Sequence, residues 1–511
     1  MKRPVRLPAF LNRFSHWICL SFLLAATSLA NGCVVGPKYQ RPTVELPPNY
    51  KEDQNWKPAK PSDASLRGTW WELFNDPQLN TLEVQVSVSN QTLKAAQAQF
   101  DEARALVRSA RAGYYPTLAV GPSASRTRIS QNKPNAGASG GTTSNDFVIP
   151  FDVAYEPDLW GRVRQEVEAA RAGAQASAAD LENVALSIRA ELAVDYFQLR
   201  SLDAEKELLD STVKAYTEAL ALTEDRHRGG IASEVDVAQA QTQLETTRAE
   251  AIDVRVARAQ YEHAIAVLIG KPASEFSLPS LPLTATPPAI PEGVPSDLLQ
   301  RRPDIASAER SVASANAGIG VAKSAYYPDI TLGVTGGFES ANITTLVNGP
   351  SSLWSVGASA LETIFDAGAR RAANDQAWAA YEESVASYRQ SVLTAVQEVE
   401  DNLAALRILE DEAKTQDGAV LAAQHSLDLS TTRYRGGVAA YLEVITAQSS
   451  ALADQLVAVQ IRGRRMTAAV LLIKALGGGW DASSIATVAS NSASTSEPPS
   501  NPTPQPSQAA H

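Results

Sequence analysis

The residues able to do covalent or metal chemistry are few and scattered. The chain has two cysteines, Cys19 and Cys33, and five histidines, His16, His227, His263, His425 and His511. None stands at a spacing that would gather them around a metal ion. No phosphate-cradling glycine loop or nucleophile elbow occurs, and no nucleophile, base and orienting group fall together. An enzyme is not expected, nor a resident cofactor. What recurs is an arginine–glycine stretch, RHRGGIASEVDVAQAQ at Arg226–Gln241 and RYRGGVAAYLEVITAQ at Arg433–Gln448. Gly229-Gly230 and Gly436-Gly437 can take the positive φ that a tight reversal needs.

Each turn must be held by the segments around it. From Arg162 to Arg228 there is one glycine and no proline, and the same holds from Arg370 to Arg435. Either segment as one helix would reach on the order of 90 Å. Leu181, Ala185, Ile188, Leu192, Leu199 and Leu202 step by threes and fours, with Asp195 as the exception. Trp378, Tyr381, Val385, Tyr388, Val392, Ala395 and Val399 do the same, which is coiled-coil spacing. Returning helices run to about Ile269 and Leu476.

Upstream of each long helix stands YYP, at Tyr114–Pro116 and Tyr326–Pro328. Period-two runs follow. Phe147, Ile149, Phe151, Val153 and Tyr155 share one face, as do Ile330, Leu332, Val334 and Phe338. The expected hairpins pair 117–128 with 147–156 and 329–338 with 352–362, with Pro122 interrupting the first run. The chain therefore reads as a tandem repeat. One copy covers 76–270, its opening helix capped by Asp76-Pro77. A proline-rich connector covers 271–298, the second copy 299–480, and a disordered tail 481–511.

Residues 1–32 hold Lys2, Arg3, Arg6 and Arg13, no acid, and the apolar run ICLSFLLAATSLA, which is too short to span a bilayer. They read as a signal peptide. Leu29-Ala30-Asn31-Gly32-Cys33 resembles a lipoprotein cleavage site, so Cys33 would carry a covalent lipid at the head of an N-terminal extension, 33–75. Ordinary cleavage after Ala30 would leave Cys33 a free thiol. By resemblance to sorted lipoproteins, Val34 rather than Asp after the cysteine implies the outer membrane rather than retention in the inner one. The net charge of −11 falls to about −15 once the leader's four charges are removed, which argues against nucleic acid.

Four strands cannot close a membrane barrel, because the smallest have about eight and open edges are not tolerated in lipid. An exported chain with two hairpins would have to pool strands with copies of itself, and three copies give about twelve and room for a channel. The other reading of the hairpins is a soluble sheet. Long helices alone also fit a lipid-anchored coiled-coil surface protein without a pore.

CVVGPKYQRP from Cys33, WWELFNDPQLNTL at Trp70–Leu82, LLQRRPDIASAERSVASANAGIGVAKSAYYPDITL at Leu298–Leu332 and LGGGW at Leu476–Trp480 resemble, in order and spacing, the TolC/OprM-like outer-membrane efflux lipoproteins of the NodT-type branch. The resemblance implies an α+β membrane protein. Three chains would form a twelve-stranded outer-membrane barrel, continued by a long periplasmic α-helical barrel. It implies a passive exit duct for small toxic compounds in a tripartite system. Its partners would be a periplasmic adaptor and an inner-membrane pump of the resistance–nodulation–division (RND) type. An exit for secreted polypeptides is the alternative within the same broad class.

The resemblance also carries site residues. The tips Gly230, Ile231, Ala232, Gly437, Val438 and Ala439 match the turns that meet the adaptor, although the glycines could serve the reversal alone. Tyr434 and Asp236 match a tyrosine and an aspartate that bond to close the entrance. Ala439 stands where some members carry a latch arginine. Glu443 matches the first of two acidic ring positions, and Thr446 stands at the second. A ring of Glu443 carboxylates would repel one another and favour cations. Glu443 could equally be a solvated helix residue.

Overall fold

The computed structural model describes residues 34–52, 68–132, 134, 141–288, 290 and 298–480. The leader, Cys33 and the tail from 481 lie outside the described residues. Helix α1 (Pro77–Ser89) begins where Asp76 accepts hydrogen bonds from the backbones of Gln78 and Leu79, with Pro77 at the first helical position. Asn90 separates it from α2 (Gln91–Ala112), a break the sequence reading did not place. The Asn90 side chain caps α2 at Leu93 N and donates to the Leu268 carbonyl at 2.7 Å. Strands β1 (Thr117–Val120), β2 (Ser123–Arg128) and β3 (Thr143–Tyr155) precede α3 (Arg162–Arg228) and α4 (Glu234–Leu268). After the connector come α5 (Leu298–Arg301), α6 (Pro303–Ser324), β4 (Asp329–Ser340), β5 (Ser352–Leu361), α7 (Ala369–Arg435) and α8 (Tyr441–Ala475). Helices α3 and α7 are each 67 residues long, and α4 and α8 are each 35.

The chain divides into two compact units, and each draws on both halves of the sequence. Of the described residues, one unit takes those within 34–42, 101–175 and 309–386 and contains the sheet. Its strands are antiparallel, in the order β1/β2, β3, β4, β5, so the two hairpins join through β3 and β4. The run over 117–128 is split in two at Gly121-Pro122, where the proline was expected to interrupt it, because proline cannot donate to the ladder. The register sets Ile149 opposite Phe338, Val153 opposite Val334 and Tyr155 opposite Leu332. Trp354, Val356 and Ala358 extend this face into β5, and Leu118 and Val120 extend it into β1. The other face carries Asp152, Thr335 and Ser355, with Thr335 Oγ1 donating to Asp152 at 2.6 Å.

At the roots of the hairpins Trp160 stacks on Tyr327 with ring centres 4.9 Å apart, and its indole donates to the Pro328 carbonyl. Trp378, expected in an apolar stripe, is exposed here, with Lys323 over its ring. The stripe is buried only from Tyr388 onward.

The second unit takes the described residues within 43–100, 176–308 and 387–480, and its core lies among helices. A 3-10 turn at Trp70–Phe74 buries Trp70, Trp71 and Phe74, with Phe74 against Phe197 at 4.9 Å. Tyr196 donates to Asp76 at 2.7 Å, so the WWELFNDP stretch anchors the chain onto α3. The connector is held too. Leu278, Leu283 and Ile290 are buried, and Leu283 N–H donates to the Arg200 carbonyl. Arg302 of the RRPDI stretch forks onto Asp304, and its Nη1 reaches Glu398 at 2.7 Å and the Ala475 carbonyl at 2.9 Å. That arginine ties α6 to α7 and to the end of α8.

Candidate functional site

The two arginine–glycine turns fold alike. Gly230 has φ +73° and Gly437 +76°. Ile231 N–H reaches back to the Arg226 carbonyl at 2.8 Å, and Val438 N–H to the Arg433 carbonyl at 3.0 Å, which closes each long helix by the same glycine-dependent motif. The tips are apolar and open to solvent, with Ile231 70% and Val438 71% exposed. Both hairpins belong to the helical unit.

Behind the tips, Tyr434, Tyr441, Val444 and Ala240 form a small buried cluster, flanked by Leu220, Leu427 and Ile445. The Tyr434 and Tyr441 ring centres lie 5.1 Å apart. Burial pushes the Tyr441 phenol up to about 12, against a lowering hydrogen bond with Thr223.

The expected hydrogen bond between Tyr434 and Asp236 is not formed. Asp236 accepts from Ser233 N–H at 2.9 Å, and its own N–H donates to Ser233 Oγ. That capping box starts α4 and uses the carboxylate locally. The buried Tyr434 hydroxyl has no hydrogen-bond partner. Its ring instead carries the Arg226 guanidinium, 4.6 Å from the ring centre. Sequence reasoning missed Arg226, although the signal was visible: it is the first arginine of the first RxRGG turn.

Glu443 lies 3.5 Å from Arg433, and both are largely exposed. It lines a groove of about 590 Å³ between α7 and α8, together with Ser426, Ser430, Thr446 and Ser450. Thr446, standing where a second acid was expected, donates to the Leu442 carbonyl.

A second functional surface is the sheet. Trp354 is 80% exposed, and Leu118, Val120, Phe151, Leu332, Val334 and Val356 on the same face are exposed as well. Strands β1/β2 and β5 each have one unpaired edge among the described residues. Val34, next to Cys33, packs at Gly161 in the β3–α3 junction, and Val35 N–H donates to the Trp160 carbonyl at 3.1 Å. Val34 and Val35 thus lie at the hairpin roots, at the Trp160–Gly161 junction. No helix among the described residues is long and apolar enough to cross a membrane. No metal-binding group of side chains occurs among them either.

These features match those of known proteins. The family model for outer membrane efflux proteins matches residues 83–271 and again 294–478. The chain is 33% identical over 460 residues to the probable efflux pump outer membrane protein TtgC of Pseudomonas putida, covering 89% of this chain and 95% of that one. It is 32% identical over 466 residues to the solvent efflux pump outer membrane protein SrpC of Pseudomonas putida, covering 91% and 99%. Its fold superposes on the outer-membrane channel OprN with a TM-score of 0.81 at 30% identity, covering 88% of this chain and all of that one. The chain belongs to the outer membrane efflux protein family and is an efflux channel of the outer membrane.

Proposed function

We propose that three copies of this chain close a twelve-stranded barrel in the outer membrane and extend it as a helical duct into the periplasm. The observation that carries this reading is the sheet: one face is exposed and apolar, and both outer strands have open edges. Lipid tolerates neither an open edge nor an unpaired backbone. Identical chains joined edge to edge, β5 of one to β1/β2 of the next, remove every edge. The tandem organisation, with long helices of equal length and returning helices of equal length, gives each chain two equivalent staves of the duct.

Lipidation of Cys33 completes the anchor, since Val34 is held at the hairpin roots, where aromatic side chains mark the membrane–water boundary. The exposed tips Gly230, Ile231, Ala232, Gly437, Val438 and Ala439 receive a periplasmic adaptor, which joins an inner-membrane RND pump that supplies the energy. The constriction lies near Asp236, Tyr434 and Glu443. The cargo is a small apolar toxicant, by likeness to the solvent pump in which SrpC is named.

The test is reconstitution of the purified lipoprotein in planar bilayers, with its mass measured in detergent. The expected result is a trimer with single-channel steps. A monomer that inserts without conducting would overturn the reading in favour of a non-pore surface lipoprotein. Passage of an unfolded polypeptide but not of small solutes would favour a secretion exit.

A further inference from the structure

The five described strands sort their charges by face. Arg126 and Arg128, both in β2, are their only basic residues. The register sets Ala124 opposite Phe147, Arg126 opposite Asn145 and Arg128 opposite Thr143, so both arginines lie on the apolar face. No strand places an acid on that face. The acidic residues of the strands, Asp146, Asp152, Asp329 and Glu339, all lie on the other one. Both arginines are exposed, and neither makes an ion pair or a side-chain hydrogen bond with another described residue. Two uncompensated cations therefore stand on the surface that a barrel turns to lipid, where a charge is tolerated only close to water.

Their height on the sheet identifies what faces them. Tyr155 ends β3 at the hairpin roots, and Asn145, opposite Arg126, lies ten positions back along the strand. At about 3.3 Å per residue and a tilt of about 40°, Arg126 stands roughly 25 Å from the roots along the membrane normal. The apolar band of an outer-membrane barrel has the same height, about 25 Å. Arg126 thus meets the far border of the hydrocarbon, and Arg128 lies about 5 Å beyond it, at headgroup level. The helices leave the sheet from the roots, so in a barrel continued into the periplasm the far border is the outer leaflet. A guanidinium offers a planar fork of donors that fits a phosphate, and two of them about 7 Å apart can hold one phosphorylated headgroup. We propose that Arg126 and Arg128 form a binding site, repeated once per chain, for phosphate-bearing glycolipid of the outer leaflet. This rests on the barrel reading above.

Lipid binding is measured on the full-length lipoprotein by native mass spectrometry in detergent, with trimer mass as the folding control. The probes are diphosphorylated lipid A and the same lipid with its phosphates removed. Wild type is expected to hold the phosphorylated lipid about tenfold more tightly, a comparison that needs no variant. Arg126→Gln/Arg128→Gln should erase the difference. Arg126→Lys/Arg128→Lys should keep part of it, because lysine retains the charge but loses the fork. Asp146→Asn, on the other face, should bind as wild type does. Equal retention of the two lipids by wild type overturns the site, and so does a double glutamine variant that still prefers the phosphorylated one. Displacement of the lipid by an equimolar amount of inorganic phosphate would overturn it in favour of a site for small anions. Bilayer conductance separates the two readings. A conducting trimer without the lipid preference overturns the arginine site alone. A protein that neither trimerises nor conducts overturns the barrel, and the site with it.

Discussion

Asp203 accepts a hydrogen bond from Arg258 at 2.7 Å, and the same buried carboxylate also takes donors from Arg200, Ser280 and Leu281 N–H. Arg200 goes on to the Pro279 carbonyl and to Gln78, while Arg258 reaches Glu262 and the Leu278 carbonyl. One acid thus fixes the start of the connector onto α3 and α4. Removing one member of a buried charge network leaves the others uncompensated, at about 3–5 kcal/mol. Asp203→Ala should therefore lower the thermal unfolding midpoint sharply, read by circular dichroism. Asp203→Asn should lower it less, because it retains an acceptor.

Glu83 presents the opposite situation. It is fully buried on α1, and neither carboxylate oxygen has a partner. Burial pushes its carboxyl up to about 9, against the lowering influence of Arg189. The folded state therefore holds a proton that the unfolded chain releases near its ordinary value of 4.5. The stability this carboxyl allows is complete below that value and declines as pH rises through about 9. Glu83→Gln should leave the unfolding midpoint unchanged at pH 4 and raise it at pH 9, measured by thermal melts across that range. Asp195, pushed up to about 6 by burial and then by Glu191, adds a smaller dependence confined to more acid pH.

The two faces of the sheet should respond oppositely to charge. Val356→Arg places a cation on the apolar face, where an arginine at mid-depth costs about 2–4 kcal/mol. If three chains assemble as proposed, this variant should no longer yield a trimer from outer-membrane fractions. Thr335→Arg, on the opposite face beside Asp152, should leave the trimer in place and alter conductance instead.

Glu443 and Arg433 should pull ion selectivity in opposite directions. Glu443→Ala is expected to reduce the preference for cations in reversal-potential measurements. Arg433→Ala, by removing the nearby positive charge, is expected to increase it. If both variants match wild type, the ring at this position is not the filter.

The tips invite a separate measurement. Ile231→Asp and Val438→Asp should abolish co-purification with the adaptor while leaving trimer mass and conductance intact. The glycines are unsuitable for this test, because a side chain at φ +73° or +76° strains the turn itself.

The long elements were legible in the sequence because each is periodic and free of breakers. Helix α3 begins and ends where composition placed it, and α7 starts one residue early. The break at Asn90 was not legible, because it depends on the remote Leu268 carbonyl. The Asp203 and Arg302 networks were invisible for the same reason, since their partners come from distant parts of the chain. At the tip, motif matching paired Tyr434 with Asp236. Local chemistry had a prior claim on that carboxylate, since Ser233 stands three residues before it, at capping-box spacing. The Arg226 crossing joins two turns through space, and periodicity does not report such a contact.

The open borders of β1/β2 and β5 bear on inheritance as well as on architecture. If every wall is shared among three subunits, one faulty copy spoils the whole ring. A cell making equal amounts of sound and defective polypeptide would retain only roughly one in eight wholly sound assemblies. Lesions on the pairing borders, which keep a chain from joining at all, would be recessive, whereas lesions at the helical tips would be dominant.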